Sequence, residues 1–124
     1  MPMLLVACPS FRVPWRVHAE SPTYEAGLLY IDFDEFARHL VRLLKAGEIS
    51  EFKSVFDVVE ALHTGGDDNV REAATIGLLE GIQNVAGNNN LDPESFSPYL
   101  GPETAKWWAR LNEFWDGDFN ALRE

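Results

Sequence analysis

The stretch Phe52–Val85, FKSVFDVVEALHTGGDDNVREAATIGLLEGIQNV, decides the fold. Phe52, Val55, Phe56, Val59 and Leu62 recur at three- and four-residue intervals, the spacing that gathers side chains on one helix face. This helix is predicted from about Ser50 to Leu62, and Gly65-Gly66 stops it. Asp67-Asp68 opens another, because aspartate at an N-cap accepts orphan amide bonds and suits the positive helix end. That helix is predicted to reach about Ala86, with Val70, Ala73, Ala74, Gly77, Leu78, Ile82 and Val85 facing inward. Gly77 and Gly81 each cost about 1 kcal/mol relative to Ala in a helix interior. A second helix approaching closely at these small residues would offset that loss.

Working outward, Asp32 and Glu35 stand at capping-box spacing. Phe33, Phe36, Ala37, Leu40, Val41 and Leu44 then follow the helical period until Lys45 and Gly47. On the other side, residues 87–90 read as a loop, and Asp92-Pro93 opens a short helical turn ending near Ser97-Pro98. Gly101-Pro102-Glu103 repeats that opening and leads into a helix over Pro102–Trp115. Its Trp108, Leu111 and Trp115 share one face, which Trp107 and Phe114 widen. Adjacent residues project about 100° apart, so one of the paired tryptophans is expected to be partly exposed. Residues 1–31 are less regular. Ser10 is placed to cap a short helix from Phe11 to about Ala19, Ser21-Pro22 breaks it, and Leu28–Ile31 leads into the next helix.

The fold class is therefore all-α: one domain over residues 1–124, with four main helices and one or two short ones packed as antiparallel hairpins. Residues 117–124 are expected to fray. The core is predicted to hold Phe36, Leu40, Leu44, Phe56, Val59, Leu62, Ala74, Leu78, Ile82, Trp108 and Leu111. A chain of 124 residues buries enough surface to need no staples. Its single cysteine rules out an internal disulfide and any zinc site of two or more thiolates, which points to a reducing, cytoplasmic setting. Leu5-Val6-Ala7-Cys8 matches a lipoprotein cleavage pattern, but no basic residue precedes the short apolar run, so export is not expected.

Charge is distributed unevenly. Residues 46–105 hold eleven acids against Lys53 and Arg71, a net −9 of the formal −10, while the first 45 residues balance five acids with five bases. Asp57 with Glu60, and Asp68 with Glu72, put like charges on one helix face. The plain interpretation is a solvated acidic face. The functional one is a docking surface for a basic protein, with carboxylates standing outward and unpaired. Nucleic acid and membrane are poor partners for such a chain, since phosphate neutralisation needs a basic patch and no segment approaches a membrane span.

Asp68-Asn69-Val70-Arg71-Glu72-Ala73-Ala74 resembles the Asp-x-Val-Arg-x-x-Ala signature of HEAT and armadillo repeats, in a single copy where a solenoid needs about three. The resemblance implies a helix hairpin in which Arg71 reaches a neighbouring acid. Val70–Glu80, Gln83-Asn84, Leu100–Glu103 and Trp107-Trp108 together resemble a bacterial family of small acidic helical proteins without an assigned activity, over about residues 8–116. Its relatives are similar to immunity proteins of contact-dependent growth inhibition and other polymorphic toxin systems. This resemblance implies toxin binding but identifies no binding residues.

Catalytic chemistry is hard to find. His18, His39 and His63 stand in no metal-ligand spacing, Cys8 has no neighbouring charge pattern to activate it, and no serine lies in a Gly-x-Ser-x-Gly elbow. Phosphate-loop and dinucleotide motifs are missing too. The expectation is a non-enzymatic immunity protein without cofactor or metal, binding a basic toxin domain such as a nuclease through Asp57, Glu60, Asp67, Asp68, Glu72 and Glu80. The alternatives are a general protein-interaction or regulatory module, and a small carboxylate-based hydrolase. Stoichiometry and oligomeric state are left open.

Overall fold

The computed structural model describes residues 2–25, 29–115 and 117. The expected fraying beyond Gly117 falls outside the described residues, as does the placement of Leu28. The described chain is helical, with no strand among the described residues. Helix α1 spans Pro2–Ala7, and a 3₁₀ turn over Pro9–Phe11 leads into α2, Arg12–Ala19. Helix α3 spans Leu29–Lys45 and α4 spans Phe52–Gly65. A continuous rod follows, made of α5 (Asp68–Glu72), a π-helical segment (Ala73–Leu79) and α6 (Glu80–Asn88). A 3₁₀ segment over Pro93–Tyr99 connects it to α7, Pro102–Trp115.

Most of the punctuation falls where the residue chemistry demands it. The Asp67 carboxylate accepts the Val70 amide at 2.9 Å, and Asp92 accepts the Glu94 amide at 3.0 Å. Gly47 closes α3 in the left-handed region, with φ of 73°. Two expected caps are corrected. Asp32 sits a turn inside α3, which starts at Leu29, and its carboxylate faces His18 at 3.1 Å. Ser10 caps nothing, because its hydroxyl turns to His39 and Glu51.

Helix α3 and the rod lie side by side and run the same way. A Cβ at Gly77 would stand 3.3 Å from ring atoms of Tyr30 and Phe33, and one at Gly81 would stand 3.4 Å from the Ala37 methyl. Farther along, Lys45 Nζ donates to the Asn89 carbonyl at 3.1 Å. The glycines thus admit α3, as the close-approach expectation requires. Helix α4 opposes both through the Gly65-Gly66 turn. Helix α7 follows the rod's direction, with Trp107 beside Ile76 and, farther on, Gln83 bonded to Asn112 at 3.2 Å and to Trp115 at 2.9 Å. The rod was expected to be an ordinary α-helix. In its π segment the Glu80 amide reaches five residues back to the Thr75 carbonyl.

Nine of the eleven predicted core residues are buried, while Leu44 and Leu62 are half-buried against the same cluster. Phe11 and Phe96, from the two least periodic segments, complete it. Phe11 meets Phe36 edge-on at 5.0 Å, and Phe96 stacks on Phe52 at 5.8 Å. Among the described residues no helix is long and apolar enough to cross a membrane.

The two helix glycines should respond differently to alanine. Gly81→Ala adds an ordinary methyl contact and removes backbone freedom, and should raise unfolding free energy by about 0.5–1 kcal/mol. Gly77→Ala must displace two packed rings and should gain nothing or lose about 1 kcal/mol. Urea denaturation of both variants checks the difference.

Candidate functional site

Helix α4 is tied to the start of α7 by a single carboxylate. Glu60 Oε2 accepts the Glu103 amide at 2.9 Å, and Oε1 accepts both the Thr104 amide and the Thr104 hydroxyl at 2.8 Å. The N-terminal amides of α7, which have no intrahelical partner, are thereby satisfied from a different helix. Gly101 makes this possible, since a Cβ there would lie 2.7 Å from the Glu60 carboxylate. Burial pushes the Glu60 carboxyl up, but the two amides and the hydroxyl outweigh it and hold the pKa below its ordinary 4.5.

Behind Glu60 lies a closed polar network around buried His63. The Val59 carbonyl can only accept, so Nδ1, 2.9 Å away, carries the proton. Nε2 then accepts the Thr75 hydroxyl at 3.0 Å. The Thr104 oxygen sits 3.2 Å from Nδ1 and passes its own proton to Glu60. Burial lowers the His63 pKa below 6.5, and the neutral ring has all its partners.

The tie sets one wall of a cleft of about 200 Å³, lined by Asp68, Arg71, Glu72, Thr75, Ile76, Glu103 and Trp107. Trp107 donates its indole N–H to Glu103 at 3.2 Å, and the Arg110 guanidinium covers the ring at 4.7 Å. Of the two neighbouring tryptophans, Trp107 is half-buried and lines the cleft. Trp108 is buried in the core, donating to Glu94 at 3.1 Å. Three carboxylates and one guanidinium leave the lining near −2. The sign of this lining, in which Glu103 also pairs with Lys106 at 3.3 Å, attracts a cationic side chain.

The six carboxylates chosen from sequence do not act alike. Asp68 and Glu72 come together on the cleft, and Asp68, which the repeat resemblance made the cap, pairs instead with Arg71 while Asp67 caps the helix. Partial burial, reinforced by the Glu72 charge, raises the pKa of the Tyr30 phenol. Asp57 is exposed and pairs with Lys53 at 3.0 Å. Glu60 and Asp67 hold helix ends, and Asp57 and Asp68 are ion-paired, so the expectation that all six stand unpaired and outward fails for these four. Glu80 is half-buried, and burial raises its carboxyl above 4.5. Glu103 was not chosen. Its position after Gly101-Pro102 marked a helix start, but nothing local in sequence set it opposite Asp68.

A second cluster brings Ser10, His39 and Glu51 together across 41 positions of sequence. His39 Nε2 lies 2.8 Å from Ser10 Oγ, which donates to Glu51 Oε2 at 3.0 Å. Arg42 approaches His39 Nδ1 at 3.3 Å, and a guanidinium can only donate. Nδ1 is therefore the acceptor and Nε2 the donor, which runs opposite to the wiring that lets histidine activate a serine. Burial and the Arg42 charge lower the His39 pKa. Cys8, buried beside Ser10, is pushed up to about 12, chiefly by burial and then by Glu51, which leaves an inert thiol. His18 pairs with Asp32, so each histidine has its own separate partners. Among the described residues no group of three or more His, Cys, Asp or Glu is placed to hold a metal ion.

Residues 1–116 match the family described as Domain of unknown function (DUF7674), and the chain belongs to that family. No curated protein and no solved structure matches it.

Two outcomes follow from the buried partners. Glu60→Ala strips three bonds from the start of α7 and should cost about 2 kcal/mol, whereas Asp57→Ala should stay within about 0.5 kcal/mol. The depressed pKa values of His39 and His63 mean the unfolded chain binds protons that the folded chain refuses, so stability is full above 6.5 and falls as pH drops through that value. Glu51 and Glu60, held below 4.5, add stability present above 4.5 and lost at lower pH. Urea denaturation should give a plateau near pH 7–8, a decline below 6.5 and a further decline below 4.5. The last decline should be shallower in Glu60→Gln.

Proposed function

We propose that this chain is a non-enzymatic binding protein of the cytoplasm that neutralises a cognate toxin domain by accepting its basic surface at the α5–α7 cleft. The observation that carries this proposal is the convergence of Asp68, Glu72 and Glu103 from two helices on a tryptophan-walled hollow. A net −10 chain steers a cationic protein from a distance, and a shaped acidic cleft then selects a lysine or arginine. If the partner is a nuclease, those cations are the ones that hold phosphate, so occupying them also blocks its substrate. Asp57 and Asp67 contribute to the long-range field, while Glu60 acts indirectly by seating α7. The resemblance to immunity proteins supports the same conclusion. The alternative of a general interaction module uses the same cleft for a partner that is not toxic.

Co-expression with the product of the gene immediately upstream tests the proposal. Growth rescue and co-purification at one stoichiometry are expected, with affinity falling as salt rises. Asp68→Lys with Glu72→Lys should weaken binding at least about tenfold, or 1.4 kcal/mol, mainly through slower association. Trp107→Ala should instead speed dissociation. Binding without growth rescue would favour the general module, and binding indifferent to all three substitutions would remove the cleft from the interface.

A further inference from the structure

A second hollow, of about 620 Å³, lies at the opposite end of α3, between its last two turns and the end of α6. It is lined by Arg38, Arg42, Lys45, Asn88 and Asn89 together with Val41, Ala46 and Val85. No carboxylate lines it, although acids outnumber bases two to one in this chain. Arg38 is neutralised by Asp34 at 2.9 Å and Glu35 at 3.3 Å. Arg42 and Lys45 are both exposed, and neither has a carboxylate partner among the described residues. Arg42 has one bond to His39 Nδ1, and Lys45 has one to the Asn89 carbonyl.

Helix-end compensation explains part of this. Helices α3 and α6 both finish here, and each C-terminus carries about half a negative charge, so the pair amounts to about −1. Arg42 and Lys45 supply two positive charges, which leaves a residue of about +1 inside a concave site. The hollow also exceeds what a bare oxyanion fills and has apolar walls, a combination that suits an organic ligand with one anionic head. A guanidinium fork, an ammonium and the Asn88 amide form a donor set matched to phosphate oxygens. A polyanion is disfavoured, because the −10 chain repels it at range.

We infer that the α3–α6 hollow is a binding site for a small organic phosphate, held by Arg42 and Lys45 with its carbon body against Ala46 and Val85. This site is independent of the acidic cleft and of the toxin-binding proposal.

Phenyl phosphate and inorganic phosphate, titrated into the full chain at constant ionic strength maintained with sodium chloride, test the inference. Amide and side-chain NMR shifts should saturate and centre on Arg42, Lys45 and Asn88, with phenyl phosphate bound several-fold more tightly than inorganic phosphate. Arg42→Gln with Lys45→Gln should weaken binding at least tenfold. Asn88→Asp, at an exposed position, should do likewise with the melting temperature nearly unchanged, which separates lost binding from lost folding. Shifts that never saturate, that chloride alone reproduces, or that persist in Asn88→Asp would overturn the site.

Discussion

The carboxylate of Glu60 joins α4 to the first amides of α7, and the acidic cleft depends on that contact. Glu103 and Trp107 are on α7, whereas Asp68, Glu72 and Ile76 are on the rod. Nothing in the sequence of α7 alone obliges its first turn to face the rod. The two amides and the hydroxyl that converge on Glu60 fix the start of the helix, and Gln83, bonded to Asn112 and Trp115, fixes its far end. Between these anchors Trp108 and Leu111 fill the core, and Trp107 is left on the cleft side. Gly101 matters for the same reason, because any side chain there would push the carboxylate away from the amides it serves.

The helices were legible in the sequence wherever apolar spacing and capping chemistry agreed. The α4–rod hairpin shows both, from the Phe52 face through Gly65-Gly66 to the Asp67 cap. Boundaries failed where a tertiary partner outcompeted a local one. Asp32 has the spacing of a cap, yet His18, fourteen residues earlier, takes its carboxylate and the helix begins a turn sooner. Ser10 yields in the same way to His39 and Glu51. The π segment was hidden because one inserted residue changes the phase of a helix without changing which residue types it uses. It lies where Thr75 must reach His63 of α4 while Gly77 faces Tyr30 and Phe33 of α3.

The candidate site was only half legible. Like charges four apart at Asp68 and Glu72 are visible in a linear sequence, and the cleft uses both. Glu103 and Trp107 enter from 30 or more positions away, through an architecture that spacing alone does not reveal. Reading the carboxylates as one class also concealed a division of labour. Two hold helix ends, two are half of exposed ion pairs, and one is desolvated, so formal charge overstates what a partner would meet.

Parallel packing gives part of the uneven charge a physical cause. Helix α3, the rod and α7 all run in one direction, so their positive ends gather near the acidic cleft and their negative ends lie away from it. Acids then accumulate where three N-termini meet: Asp67 and Asp68 at the rod, Glu103 at α7, and Glu60 reaching across to the latter. Bases accumulate where α3 and α6 end, with Arg42 and Lys45 at the last turn of α3. Each helix end asks for about half a charge, so the three N-termini absorb about 1.5 and the two C-termini about one. Both ends of the molecule carry more than that. The excess on the cleft side is negative and the excess at the α3–α6 hollow is positive. Helix electrostatics explains which sign each end carries, and under the two proposals the surplus is what a ligand at each end would meet.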